Sequence, residues 1–101
     1  MGKLKFTKTI KNKWLKALKS GKFTQCTYDL VRKRGDVVTH CCLGVLNEVC
    51  DFPRNEYDDL IKLLSESTVS KIYSRNDESF NANKPDYSNV IPLIEELETE
   101  K

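Results

Sequence analysis

One short segment, residues 41–50, is apolar at almost every position and constrains the fold more than any other feature. Its sequence is Cys-Cys-Leu-Gly-Val-Leu-Asn-Glu-Val-Cys. A helix that is hydrophobic nearly all round belongs in the centre of its domain, so the rest of the chain must cover it. Gly44 lies mid-helix, where glycine costs about 1 kcal/mol relative to alanine. We therefore expect another backbone, that of the first helix, to cross closely at this glycine.

The surrounding elements follow from the spacing of apolar residues and from capping residues. Trp14 and Leu18 lie on the apolar stripe of a helix over residues 7–20, which Thr7 caps and Gly21 ends. The other predicted elements are a hairpin with strands at 26–31 and 37–38 around a turn at 32–36, a helix over 56–65 capped by Asn55, a shorter helix around 69–73, a loop over 76–86 anchored by Phe80, and a last helix over 88–98. The predicted fold class is mainly α (α+β): a compact bundle of four to five helices around a buried central helix, with one short β-hairpin.

The length of the chain, 101 residues, predicts a single small globular domain, with flexible ends at residues 1–6 and 99–101. No apolar run approaches the roughly 20 residues that span a bilayer, and no hydrophobic stretch follows the N-terminal lysines as in a signal peptide. The four cysteines include an adjacent pair, and nothing in the sequence indicates secretion. We therefore predict free thiols in a cytoplasmic protein.

Charge is distributed unevenly along the chain, although the net charge is only +2. Residues 1–34 hold eleven Lys and Arg against one Asp, a net charge of +10, which leaves −8 for the other 67 residues. Such a basic segment is typical of contact with an anionic partner, while lysines on a solvent-facing helix serve solubility equally well. The candidate contact residues are Lys16, Lys19, Lys22, Gln25, Arg32, Lys33 and Arg34. The acidic last helix is the alternative contact surface.

Residues that could carry catalysis or bind a metal are few. His40 precedes Cys41, but neighbours at a helix start diverge by about 100°, which is awkward for a nucleophilic Cys–His pair. Cys42 and Cys50 lie about 12 Å apart along one helix, and the chain lacks the C-x(2–4)-C pairs of structural zinc sites. The four glycines are scattered, so no glycine-rich phosphate loop is present. We predict no catalytic residues, no metal and no cofactor.

Two consecutive helices, the central one and the one over 56–65, are separated by a short break, as in a helix-turn-helix. In that motif the second helix enters the major groove of DNA. Here its leading end carries Glu56, Asp58 and Asp59, which would face phosphates. We therefore reject base recognition through this helix, while phosphate contact through the first helix and residues 32–34 stays open.

Two motifs resemble those of a known type of protein. Residues 14–25 are Trp-Leu-Lys-Ala-Leu-Lys-Ser-Gly-Lys-Phe-Thr-Gln, and residues 41–46 are Cys-Cys-Leu-Gly-Val-Leu. They resemble W-x-x-A-L-x-S-G-K-Y-x-Q and C-C-L-G-V-L of a small protein type encoded by bacteriophages and prophages. Asn76-Asp77 and residues 87–95 resemble its later N-D step and closing helix, whereas Asn47-Glu48 stand where it has C-D. The resemblance implies a phage accessory protein in the host bacterial cytoplasm and implies no particular mechanism.

Two functions agree with these features. The first is a small binding protein that inhibits or sequesters a host protein or a small signalling nucleotide, as an anti-defence factor. The second is a nucleic-acid-associated accessory protein that binds the phosphate backbone through the basic N-terminal third of the chain. Neither requires a membrane, and both leave the oligomeric state open, a homodimer included.

Overall fold

Helices dominate the computed structural model of the chain, and one antiparallel pair of strands accompanies them. The structure describes residues 5–27, 29–53, 56–78, 83 and 86–99. In chain order the elements are α1 (Lys8–Lys19), β1 (Val31–Arg34), β2 (Val37–His40), α2 (Cys42–Cys50), α3 (Asp58–Leu64), α4 (Glu66–Glu78) and α5 (Ile91–Glu95). The predicted fold class, a small α+β bundle with one hairpin, is confirmed.

Helix α2 lies at the centre of the molecule, as its sequence predicts. Residues 42–47 are all buried, and α2 contacts α1, α3, α4 and β2. The indole Nε1 of Trp14 donates a hydrogen bond of 2.8 Å to the Cys42 carbonyl. This bond ties α1 to the start of α2 within the core.

Gly44 permits the closest backbone approach in the core. A Cβ built on it would lie 2.9 Å from the carbonyl carbon of Leu30 and closer still to the carbonyl oxygen. The crossing backbone is therefore the segment before β1, and the prediction that the first helix crosses here is wrong. The Leu30 carbonyl accepts a hydrogen bond of 3.0 Å from the Cys41 N–H, which draws this segment onto α2.

Helix α1 forms as its capping residues predict. Thr7 Oγ1 accepts a hydrogen bond of 3.3 Å from the Ile10 N–H, and Gly21 follows the helix with a φ of +79°. Phe6, which the sequence analysis assigned to a flexible end, is only 4 % exposed. Its ring packs edge-on against Trp14, with the ring centroids 6.1 Å apart. The packed core therefore begins before the first helical turn.

The hairpin starts later in the chain than predicted. Cys26 and Leu30 are buried, as their alternation indicates, but they precede the strand. Residues 32–34 belong to β1, so the predicted turn at 32–36 is wrong, and the turn consists of Gly35-Asp36 alone. The residues before β1 are buried against the body of the molecule, which produces an alternating pattern without a strand.

Helix α4 has 13 residues and is far longer than the helix predicted around residues 69–73. It continues to Glu78, so the predicted loop does not begin at Asn76. Asn76 is buried on the same face of α4 as Val69 and Ile72, and its side chain is hydrogen-bonded there. A polar residue on the apolar face thus extends the helix past the point where its hydrophobic pattern ends.

The two shortest helices differ from the prediction at their ends. Helix α3 begins at Asp58 rather than at residue 56, and α5 covers five residues rather than the whole of 88–98. Pro92 lies in the first turn of α5, where proline removes few backbone bonds. Ser65 joins α3 to α4 at φ 85° and ψ 155°. The predicted cap, the loop anchor and one residue of the predicted strand lie outside the described residues: Asn55, Phe80 and Tyr28.

Candidate functional site

The basic residues of α1 lie beside the acidic last helix. Lys16 and Lys19 are exposed, and Lys19 Nζ lies 3.3 Å from Glu95 Oε2. Lys11 Nζ donates to the backbone carbonyls of Glu95 and Leu97, at 2.7 Å each. These contacts satisfy carbonyls at the C-terminal end of α5 and place cations where the helix dipole favours them. The two contact surfaces that the sequence offered as alternatives are therefore neighbours, and part of their charge is paired internally.

Gln25 is a correction to the predicted contact surface, because its side chain is only 4 % exposed. Its Nε2 donates hydrogen bonds to Asn76 Oδ1 at 2.8 Å and to Asn89 Oδ1 at 2.9 Å. Its Oε1 accepts a hydrogen bond of 3.0 Å from the Tyr87 N–H. Gln25 therefore lies inside the molecule, where it joins its own segment to α4 and to the segment before α5.

Asn76 is the centre of this buried amide network. Its Nδ2 donates to the Cys26 carbonyl at 2.9 Å, and its Oδ1 accepts from the Cys42 N–H at 3.3 Å. The Tyr87 hydroxyl donates to the His40 carbonyl at 2.7 Å nearby. Burial of polar groups is tolerated when they are hydrogen-bonded in this way. Sequence reasoning missed the network, although the spacing of Asn76 from Ile72 on α4 would have placed it on the apolar face.

The thiols of the central segment are packed inside the fold. Cys26, Cys41 and Cys42 are buried and free, and Cys50 is half-buried. Burial raises the pKa of the Cys41 thiol from its ordinary 9.0 to about 12, and burial raises the pKa of Cys42 well above that ordinary value. Thiols with raised pKa values stay protonated at neutral pH and are poor nucleophiles. Their place in this structure is that of small apolar side chains.

The imidazole of His40 also packs within the fold. It is 6 % exposed and lies edge-on to Phe23, with the ring centroids 5.0 Å apart. Among the described residues, no three His, Cys, Asp or Glu side chains gather as a metal-ligand set. None of the helices in the described part of the chain has the length and hydrophobicity that crossing a bilayer requires.

The base of the hairpin is fixed by Arg32. Its Nε donates to Asp29 Oδ2 at 3.1 Å, and its Nη2 donates to the Thr27 carbonyl at 2.7 Å. The guanidinium is therefore engaged within the chain and only partly exposed. Of the three cations at 32–34, Arg32 positions the hairpin, and the next two remain for contact.

The hairpin tip, residues 33–38, is exposed at every position. Side chains alternate between the two faces of a strand, so exposure of the whole run means that neither face packs on the body. Val37 is 61 % exposed and Val38 is 38 % exposed. The strand register places Val37 opposite Arg34 and Val38 opposite Lys33. Each face of the hairpin tip therefore presents one valine beside one cation.

A groove of about 460 Å³ between the end of α1 and the start of α5 is a second candidate. Lys19 and Phe23 line it, as would suit a nucleotide, but so does Asp86. The Asp86 carboxylate accepts a hydrogen bond of 3.1 Å from the Ser88 N–H, which fixes it in place. A carboxylate beside a phosphate is repulsive, so Asp86 disfavours an anionic ligand in this groove.

The fold is a small α+β domain with an exposed hairpin tip. A family model described as a domain of unknown function, DUF8296, matches residues 6–78. The chain therefore belongs to the DUF8296 family, and the match covers α1 to α4 and the hairpin. No curated protein and no solved structure matches the chain.

Proposed function

We propose that this protein is a small phage-type binding protein that acts without catalysis, by docking on a host protein in the bacterial cytoplasm and inhibiting or sequestering it. The observation that carries the proposal is the exposure of Val37, 61 %, at the hairpin tip. The phage origin and the anti-defence role rest on the resemblance of the two sequence motifs. The hairpin tip supplies the means of contact.

The composition of the hairpin tip favours a protein partner over nucleic acid. Contact with phosphates depends on cations and gains nothing from exposed valines. Protein interfaces combine an apolar centre with a polar or charged rim. Val37 would form such a centre on one face of the hairpin tip, with Arg34 at its rim, and Val38 with Lys33 would do so on the other face. The partner surface should therefore be apolar at its centre and carry carboxylates around it.

The interior of the molecule supports a role without catalysis. The Cys41 and Cys42 thiols have raised pKa values because they are buried, so they are held in the unreactive form. The amide groups of Gln25 and Asn76 are engaged with each other and with the backbone. Amides neither gain nor lose protons near neutral pH, so this network orders the fold and transfers nothing.

The test is native purification of the 101-residue chain from phage-infected cells, with wild type and Val37→Ser compared side by side. The substitution removes apolar surface from the hairpin tip. Ile61→Ser is the matched control, because Ile61 is 36 % exposed on α3, outside the hairpin. We expect one host protein to be recovered with wild type and control, lost with Val37→Ser, and bound directly in calorimetry. Equal recovery with Val37→Ser would remove the hairpin tip from the proposal.

The nucleic-acid alternative predicts a different result. If the chain binds duplex DNA, log K falls linearly with log salt, and the double substitution Lys33→Ala, Arg34→Ala reduces that slope by about 2. Val37→Ser should leave the slope unchanged, because valine contacts no phosphate. That pattern, together with recovery of no host protein, would replace protein docking with binding to the phosphate backbone.

A further inference from the structure

The base of the hairpin reveals which backbone groups of β1 face outward. The His40 N–H donates to the Thr24 carbonyl at 2.9 Å, and the His40 carbonyl accepts from the Cys26 N–H at 3.1 Å. Both backbone groups of His40 are therefore turned away from β1. Its partner across the hairpin is Val31, so this pair is of the non-hydrogen-bonded type.

Hydrogen-bonded and non-hydrogen-bonded pairs alternate along two antiparallel strands, so the type of one pair determines the type of every other pair in the hairpin. The pairs Arg32–Thr39 and Arg34–Val37 exchange backbone hydrogen bonds, whereas the pair Lys33–Val38 does not. The N–H and C=O groups of Lys33, like those of Val31, consequently point away from β2. We call these groups the outer edge of β1.

The outer edge of β1 is open to a further strand. In the described part of the chain the sheet has two strands, β1 and β2, so no third strand pairs with this edge. Residues 24–26 cover the other side of the sheet only at the base of β2, through the bridge between Gln25 and His40. Unpaired strand edges are templates for pairing with another chain.

We propose that β1 binds an extended acidic segment of the partner, which adds a third strand along the outer edge of β1. This inference rests on the proposed function and specifies the kind of partner segment that the hairpin takes. Three of the four residues of β1 are cations: Arg32, Lys33 and Arg34. Opposite charges on neighbouring strands stabilise their pairing, so carboxylates on the incoming strand complement this edge.

The same cations exclude a second copy of this chain as the partner for this edge. Charged residues on edge strands prevent association between copies, because like charges on facing strands repel. Arg32 is paired with Asp29, so two copies of β1 placed edge to edge would bring four further cations together, Lys33 and Arg34 of each copy. The charge that blocks pairing between copies therefore selects an acidic strand of another protein.

The probe for this inference is a capped eight-residue peptide of alternating Glu and Val, titrated against the 101-residue chain. The same peptide with every backbone amide N-methylated is its control, because it carries the same side chains and charge but has no N–H group on either edge. We expect the Glu-Val peptide to bind at least about tenfold more tightly, since strand pairing depends on the backbone. Equal binding of the two peptides would overturn the inference.

Three variants separate the contribution of the Lys33 backbone N–H to binding from the contribution of the Lys33 charge. Lys33→Ala removes the charge and retains the N–H, so we expect about two- to fourfold weaker binding. Lys33→Pro also removes the outward N–H, at an edge position that tolerates proline, and we expect about tenfold weaker binding than Lys33→Ala. Val38→Pro is the matched control on β2 and should change the affinity less than about twofold. Equal affinities of Lys33→Pro and Lys33→Ala would overturn the inference.

Hydrogen exchange measured by NMR reports the pairing directly, and circular dichroism checks that each variant is folded. We expect the peptide to protect the Lys33 amide and to leave the Val38 amide unprotected. Protection of Val38 alone, or equal competition by an oligothymidine, would overturn pairing along β1. Loss of a host protein with Val37→Ser, combined with failure of the peptide test, would retain the hairpin tip as contact element and discard the added strand.

Discussion

Substitution of Gly44 by alanine tests the central packing of the fold. Alanine is the better helix former, and propensity alone predicts a gain of about 1 kcal/mol in the free energy of unfolding. The structure predicts the opposite sign. A Cβ at this position would lie 2.9 Å from the Leu30 carbonyl carbon and would overlap the carbonyl oxygen.

The cost of Gly44→Ala follows from what must move. The atoms in the way belong to the backbone and not to the end of a flexible side chain. The destabilisation by overpacking should therefore lie near the upper end of its usual range, about 3 kcal/mol. Displacing Leu30 also weakens the hydrogen bond of 3.0 Å from the Cys41 N–H to the Leu30 carbonyl, a loss of about 1 kcal/mol. After the gain in helix propensity is subtracted, the net destabilisation is about 3 kcal/mol, or roughly 12–24 °C in Tm.

The assay is urea unfolding followed by far-UV circular dichroism. Gly21→Ala is the control, because Gly21 has a φ of +79° and no atom within 4 Å of a Cβ built on it. Only backbone strain opposes alanine there, so we expect a loss of about 1–2 kcal/mol. Gly44→Ala with the stability of wild type, or above it, would refute the close approach of Leu30 to α2.

Three further predictions concern stability. Asn76→Ala leaves buried amide and carbonyl groups of two neighbouring segments without their partner and should cost about 3 kcal/mol in urea unfolding. Because the pKa of the Cys41 thiol is raised from 9.0 to about 12, folding stability should not depend on this thiol below pH 9. Between pH 9 and about 12 the unfolded chain loses the proton and the folded chain keeps it, so stability should fall by up to about 1.4 kcal/mol per pH unit. Ser65→Gly relieves the strain of φ 85° and ψ 155°, a region that only glycine adopts without strain, and loses the hydroxyl at a cost of about a few tenths of a kcal/mol, so the free energy of unfolding should rise by about 1 kcal/mol.

Each of these predictions has a control or a contrary result. Asn12→Ala is the control for Asn76→Ala, because Asn12 is exposed on α1 and should leave the stability nearly unchanged. Cys41→Ala should lessen the decline above pH 9, and an identical decline would assign it to other groups. Ser65→Ala keeps the strained backbone and loses the hydroxyl that accepts a bond from the Thr68 N–H, so it should destabilise by about 1 kcal/mol. Equal effects of the two Ser65 substitutions would refute the strain.

Local patterns predict the helical core well. The segment from Cys42 onward is apolar nearly all round, and only a central position satisfies such a helix. Helix α1 carries its apolar stripe between Thr7 and Gly21, which cap it as their chemistry predicts. Both elements depend on contacts within a few residues, so a single sequence contains the information.

The errors arise where distant segments decide the local structure. The alternation of Cys26 and Leu30 comes from burial against the body of the molecule, and alternation alone does not distinguish this from a paired strand. The sequence pattern predicts that a polar loop begins at Asn76, but Gln25, 51 positions away, forms a hydrogen bond with the buried Asn76 side chain. Composition therefore predicts a basic surface, but it does not show that Gln25, which the sequence predicts to lie on that surface, is internal.

The last described segment is joined to the rest of the molecule although it lies outside the matched family range. Tyr87, Val90 and Ile94 are fully buried, and Lys11 of α1 holds the end of α5 by its carbonyls. A chain shortened after Glu78 would lose this cover and expose one side of α1 to solvent. Such a chain should collapse without fixed side-chain packing and bind hydrophobic dyes, as a molten globule does. The folding unit therefore extends beyond the residues that match the family model.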